Sequence, residues 1–371
     1  MVNLLSRTDD SLLARWWWSI DKKLFKWLFF LSIVGLIISI SAPNYNGEKG
    51  GSIAMSFSLK YLVFMMVGFS VFIFTSMLNV QWIKRLSLIG IVALIITLIL
   101  IQFIGIEKKG AIRWISIFGF SLQPTEFVKP VFAVFSAMLF TAQYKYKDIP
   151  GAGLSFLLFL TFAVLFFIQP DMGQLFLLFG IWASQLFVVG LTFFGFALLL
   201  GSGVVGAILA YLFMPHFHDR VNKWIMPSEN DTYQVDKSLQ SFADGGWINF
   251  SFGSGTNKYK IPDANTDFVF AVIGEEGGVF FCILFLFLLI HIINLMIRQA
   301  KKQEDLFITL SVVAITVQFA MQSAINISST IGLIPAKGMT LPLVSAGGSS
   351  YLAMCLGLGI IIALTRKQKI V

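Results

Sequence analysis

The chain has 371 residues, 57% hydrophobic and only 12% charged, and 27 basic against 19 acidic side chains give a net charge of +8. So little polar surface excludes a water-soluble globule, and so much apolar sequence excludes a disordered chain. Two cysteines, both in apolar runs, exclude a disulfide scaffold and read as buried fillers.

A hydrocarbon layer of about 30 Å requires roughly 20 apolar residues per helix. Windows of that length predict spans at 24–42, 59–78, 86–106, 127–143, 154–168, 173–189, 191–213, 268–296, 306–327 and 349–364. The expected fold class is all-α, a polytopic membrane protein of about ten transmembrane helices forming a single domain over residues 1–371. Arg7, Arg15, Lys22, Lys23 and Lys26 before the first span and Ala42 at its end resemble a leader. The charged stretch is too long for one, and Ile40 is a poor residue before such a site, so a retained helix is expected. Trp16, Trp17 and Trp18 suit the headgroup belt.

An even number of spans puts both termini on one side. If that side is the cytoplasm, it receives 15 of the 27 Lys and Arg residues in shorter loops, as the positive-inside rule expects. N-in, C-in follows, with a cytoplasmic segment 1–23 and a large extracytoplasmic loop 215–267 between spans seven and eight. Three polar segments then face outward: 107–126, 215–267 and 335–350.

The first contains Gly110, Arg113 and Trp114, then Gln123-Pro124-Thr125-Glu126-Phe127-Val128-Lys129-Pro130 at the mouth of a span. Glu126 and Lys129, three apart, share a helix face and are expected to pair. Arg113 beside Trp114 suits either an interfacial anchor or an anionic or sugar-bearing headgroup. Next, Gln169-Pro170-Asp171-Met172-Gly173 interrupts apolar sequence on both sides. Asp171 there is a helix N-cap or a ligand group, and its likeness to the Gln123-Pro124 segment would suit the paired broken helices of a transporter.

In the large loop, His216 and His218 have ligand spacing but no third ligand nearby, so no metal site is expected. The loop ends in Lys258-Tyr259-Lys260-Ile261-Pro262-Asp263-Ala264-Asn265-Thr266-Asp267-Phe268. Asp267, at the threshold between water and apolar side chains, is either an N-cap, with Thr266 competing, or a general base. Glu275 and Glu276 lie deeper and should face the bundle interior. The last segment runs from Asn326 through Pro335, Lys337, Gly338 and Pro342 to Gly347, Gly348 and Ser349. Its broken apolar pattern predicts a re-entrant loop around a site. Lys337 would meet a phosphate or snorkel, and the glycines would admit close backbone approach.

No nucleotide or phosphate-loop fingerprint occurs, nor a basic-aromatic patch for nucleic acid. Two classes fit an outward polar cavity with carboxylates and cations: an enzyme acting on a lipid-linked substrate, or a carrier of an amphiphilic ion.

Five ordered stretches, at 110–115, 123–129, 169–173, 266–271 and 335–342, resemble the motifs of the shape, elongation, division and sporulation (SEDS) glycosyltransferases, the family of RodA and FtsW. The resemblance spans nearly the whole chain. Ala14-Arg15-Trp16-Trp17-Trp18 and Pro262-Asp263-Ala264 look more like the division members of alphaproteobacteria than the elongation ones.

The resemblance implies a polymerase of lipid II at the division septum of the inner membrane, releasing undecaprenyl diphosphate. It also implies partnership with a class B penicillin-binding transpeptidase and other division proteins. Asp267 matches the family's essential aspartate and becomes the expected catalytic base. Arg113, Trp114, Gln123, Glu126, Lys129, Asp171, Lys337, Gly347, Gly348 and Ser349 become the expected substrate-binding set. Arg113, Lys129 and Lys337 become the expected cations for the departing diphosphate, a task that a divalent cation, Mg or Mn, could share; no other cofactor is implied. A lipid II flippase and a scaffold recruiting the transpeptidase stay open as alternatives. Two positions depart from the pattern: Asn265 stands where His is common, and Ala346 where Tyr is common.

Overall fold

The computed structural model describes residues 11–41, 51–108, 111–117, 120–146, 148–226, 233–250 and 253–367. Among them each of the ten predicted spans finds its helix. In chain order these are α2 (Lys22–Ser41), α3 (Gly51–Met77), α4 (Val80–Ile104), α5 (Pro124–Lys145), α6 (Gly151–Ile168), α7 (Met172–Val189), α8 (Phe193–Phe213), α11 (Val269–Lys301), α12 (Leu306–Thr330) and α13 (Gly348–Leu364). Eight are long and apolar enough to cross a membrane, and Tyr61–Met77 and Gly348–Leu364 are shorter apolar helices. Gly110, in the first motif, lies outside the described residues.

Local chemistry sets the helix ends. Asn79 and Thr192 cap α4 and α8 by accepting the N–H of Trp82 and Gly195. Pro124 starts α5, where its missing N–H costs nothing. Gly190 ends α7 at φ 105°, a conformation that favours glycine.

A short amphipathic helix, α1 (Leu12–Ser19), precedes the first span. Its Trp16 indole donates to Ser76 Oγ at 2.8 Å, and Lys22 sits 3.3 Å from the exposed Trp18 ring. The Lys367 N–H donates to the Ser19 carbonyl at 3.0 Å, so the two ends of the described chain meet on one face of the bundle.

Two outer segments expected as loops have structure of their own. Residues 106–122 form an antiparallel sheet in the order β1 (Ile106–Lys108), β2 (Ala111–Ile117), β3 (Phe120–Leu122), with Glu107 opposite Ile112 and Ile115 opposite Leu122. This sheet is an addition to an otherwise helical fold. The large loop carries α9 (Pro215–Ile225) and α10 (Tyr233–Gly245), the latter packed on α11.

Helices α5 and α12 form the centre, packing against each other and both against α7 and α13. Their polar side chains are buried there: Lys129 is 0% exposed and Asn326 0%. Helix α8 is the opposite case, with most of its described side chains exposed, as an apolar helix facing lipid should be.

Candidate functional site

A cavity of about 1400 Å³ opens where β2, the α6–α7 break, α9, α10, the start of α11 and the segment before α13 converge. It takes in nearly every residue singled out in the sequence: Arg113, Trp114, Gln123, Glu126, Asp171, Asp267, Lys337, Gly347, Gly348 and Ser349. Lys129 lies beneath it, joined to Glu126.

Asp267 sits on a tight turn in which the Asp263 carbonyl accepts the N–H of Thr266 and of Asp267, each at 3.0 Å. Asp263 itself has φ 58°. Helix α11 begins after Phe268 without a side-chain cap, so neither Asp267 nor Thr266 serves as one. The carboxylate instead stands against Gly338, where an added Cβ would lie 3.2 Å from its Oδ2.

The turn is fastened to the last segment by one side chain. The Asn326 amide, on α12, donates to the main-chain carbonyls of Asp267 at 2.8 Å and Met339 at 2.6 Å. The Ala346 N–H donates to the Asn265 carbonyl at 2.8 Å, and Ser345 Oγ donates to the Thr266 carbonyl. Two irregular strands of backbone thus satisfy each other, the condition for non-helical chain at membrane depth. Asp267 and Lys337 are held in one unit.

The Glu126–Lys129 pair forms at 2.8 Å, as their spacing predicts, and it is more than a pair. Gln174 donates to Glu126 at 2.5 Å, and Lys129 also donates to Gln322 Oε1 at 3.2 Å. Gln322 in turn donates to the Thr340 carbonyl at 3.1 Å and Ser350 Oγ at 3.0 Å. The network links α5, α7, α12 and α13 under the cavity floor.

Arg113 is heavily engaged by the protein itself. Its Nε and Nη2 donate to the carbonyls of Gln169 (2.7 Å) and Pro170 (2.5 Å), and Nη1 stands 3.7 Å from Asp171. It buckles the sheet to the α6–α7 break. Asp171 also caps α7 and accepts from the Gln123 side chain at 3.3 Å, so its capping and cavity roles coexist. Ser349 Oγ accepts the Gln123 N–H at 2.9 Å, and Gly348 packs so closely on Phe64 that a Cβ would reach its ring at 2.4 Å.

Lys337 is half-buried, with its ammonium 4.9 Å from the Phe176 ring. Burial pulls its pKa down to about 8, with Arg220 adding to the fall and Asp171 opposing it. Arg220, on α9, is the cation that sequence reading missed. It lines the cavity with Lys223, and its Nη1 approaches the Lys337 carbonyl at 3.5 Å. Tyr233, Gln234 and Asp236 of α10 close the same side.

Among the described residues no three His, Cys, Asp or Glu side chains converge to hold a metal. The cavity carboxylates therefore do not fit a closed protein cage for a divalent ion. His218 is engaged by Tyr211 and Asn222.

The chain matches the FtsW/RodA/SpoVE profile, described as cell cycle protein, over residues 22–370. A probable peptidoglycan glycosyltransferase FtsW of Caulobacter vibrioides is 33% identical over 368 residues, covering 99% of this chain and 94% of that protein. One of the same name from Aromatoleum aromaticum is 31% identical over 353 residues, covering 90% and 84%. Among solved structures, a chain of a peptidoglycan synthase complex that coordinates polymerization and crosslinking superposes with a TM-score of 0.78 at 22% identity, covering 93% and 97%. The rod shape determining protein RodA of Thermus thermophilus gives 0.70 at 22%, covering 94% and 97%. These structures share the fold, and with a profile that runs almost from end to end they leave one assignment: the chain belongs to the FtsW/RodA/SpoVE family.

Proposed function

We propose that this multi-pass membrane protein is a peptidoglycan glycosyltransferase that joins lipid II units outside the cytoplasmic membrane. The observation that carries the reading is Asp267, which caps no helix and shares a cavity of about 1400 Å³ with Lys337 and Arg220. A base and a set of cations in one cleft is what sugar transfer from a diphosphate requires.

Asp267 takes the proton of the acceptor's 4-hydroxyl as that oxygen attacks the anomeric carbon of the donor. The carbon–oxygen bond to undecaprenyl diphosphate breaks, and its electron pair leaves with the diphosphate. Lys337, Arg220 and Lys223 supply positive charge for that leaving group, and Arg113 acts chiefly through the architecture it buckles. Single inversion turns an α-linked donor into a β-1,4 bond with no covalent sugar-enzyme intermediate. Glu126 and Lys129 hold the floor, and Trp114 offers a ring for sugar or headgroup.

The relatives named FtsW support a role at the division septum, and the synthase-complex neighbour supports a class B transpeptidase as partner. The chain acts as a single domain, N-in and C-in. The test is polymerisation of labelled lipid II by the reconstituted protein with its cognate transpeptidase, read as a glycan ladder. Transfer of lipid II between leaflets without a ladder would make it a flippase, and neither activity would leave a scaffold.

Two further outcomes follow from the geometry. Lys337 is charged below about pH 8 and neutral above it, so affinity for the diphosphate falls as pH rises through that value. KM should climb on the order of tenfold between pH 7 and 9 if one charge-assisted contact is lost, and Lys337→Arg should flatten the rise. Gly338 has φ 62°, so Gly338→Ala adds about 1–2 kcal/mol of strain beside Asp267. If that strain is relieved by shifting the base, kcat falls about tenfold at unchanged expression.

A further inference from the structure

Helix α11 is broken at Gly278, which has φ 72° and ψ −177°. The backbone groups freed there are taken up by the stretch that follows α10. The N–H groups of Val279 and Phe280 donate to the carbonyls of Gly246 and Trp247, each at 3.0 Å, and the Asn249 N–H donates to the Gly277 carbonyl at 3.3 Å. The Asn249 side chain adds a bond to the Glu275 carbonyl at 2.8 Å. Approach is close enough that a Cβ on Gly278 would meet the Trp247 carbonyl at 2.9 Å, and one on Gly245 the Gly274 oxygen at 2.0 Å.

This docked stretch carries its apolar side chains outward. Trp247 is 79% exposed, Ile248 60% and Phe250 74%. Phe250 meets Phe281 edge-on, and Phe281 lines an apolar groove between α2 and α11.

Two independent rulers give the height of the stretch. Beyond the kink, α11 runs from Val279 to Lys301 and ends in Arg298 and Lys301. At about 1.5 Å per residue that length is roughly 35 Å, so a layer of about 30 Å above the basic end reaches its outer boundary near Gly278. Helix α2 has 20 residues from Lys22 to Ser41, and Ser41 Oγ donates to Glu276. Its length of about 30 Å puts the same boundary at the same place.

We propose that residues 246–250 are a membrane anchor, with Trp247, Ile248 and Phe250 entering the outer leaflet at the boundary between headgroups and acyl chains. An indole is at home in that layer. The anchor goes beyond the catalytic reading and stands without it: it fixes the height of the outer loop against the bilayer. Charged chemistry close by does not oppose insertion, because Glu276 is paired with the fully buried Lys258 at 2.5 Å, and Glu275 accepts the N–H of Asn257 and Lys258 at 2.7 and 2.8 Å.

The test uses the full-length protein in nanodiscs. Ile248→Cys carries a small fluorophore, with the parent protein controlling for labelling of the buried Cys282 and Cys355. Nitroxide placed high on the acyl chains of the lipid should quench the label at least twofold, and aqueous iodide should quench it several-fold less than free dye. Phe250→Cys is read in the same way, so one poorly folding variant does not decide the result. Iodide quenching equal to free dye with no effect of the nitroxide lipid at both positions would overturn the anchor. Shielding that appears only when a partner membrane protein is added would also overturn it, and would make the patch a protein interface.

Discussion

Asp267→Asn should reduce glycan strand synthesis by about 10²–10⁴-fold, the usual worth of a positioned general base, and so erase the ladder. The substitution is close to isosteric, and main-chain contacts that it leaves intact hold the turn. Asn326 holds the main-chain carbonyl of residue 267, and the Asp263 carbonyl holds its N–H. The variant should therefore fold, bind lipid II and join its partner while failing in chemistry. Single-turnover assays at saturating lipid II separate the two, and activity above a tenth of wild type would remove Asp267 from the role of base.

Lys129→Met should produce the largest loss of stability. Lys129 is 0% exposed and Glu126 7%, and the ion pair between them is the centre of the network beneath the cavity. Removing the lysine leaves a carboxylate in a low-dielectric interior with Gln174 as its remaining partner, a loss of about 3–5 kcal/mol in comparable buried pairs. The double change Glu126→Gln with Lys129→Met removes both charges and should recover most of that loss, because the stranded charge and not the missing bond dominates. Thermal unfolding in detergent of both variants tests this; equal destabilisation of the single and double variants would contradict it.

The membrane helices were legible because about 20 consecutive apolar residues have few other uses. The Glu126–Lys129 pair was legible because it is local, three residues apart on one helix. Glu275 and Glu276 were assigned to the interior on cost alone, and the structure supplies the partner, Lys258, that sequence spacing could not name. Other features stayed hidden for a shared physical reason: their partners are distant in sequence. Nothing near Asn326 signals that its amide ties residue 267 to residue 339, and the charge on Arg220 does not say that α9 folds back over the cavity. Arg113 read as a ligand for anions, yet two of its donors go to main-chain carbonyls 56 and 57 residues away. The small sheet escaped because two of its strands have three residues each, too short for an alternating pattern to stand out.

The bond from the Ala346 N–H to the Asn265 carbonyl joins the two positions that the sequence resemblance marks as departures from the motifs. Because the bond is made by main chain alone, it is indifferent to which side chains the two residues carry. A lineage could exchange both without loosening the seam that holds Asp267 beside Lys337. The seam therefore leaves 265 and 346 open to independent change, and a substitution at either position is expected to keep Asp267 where it stands.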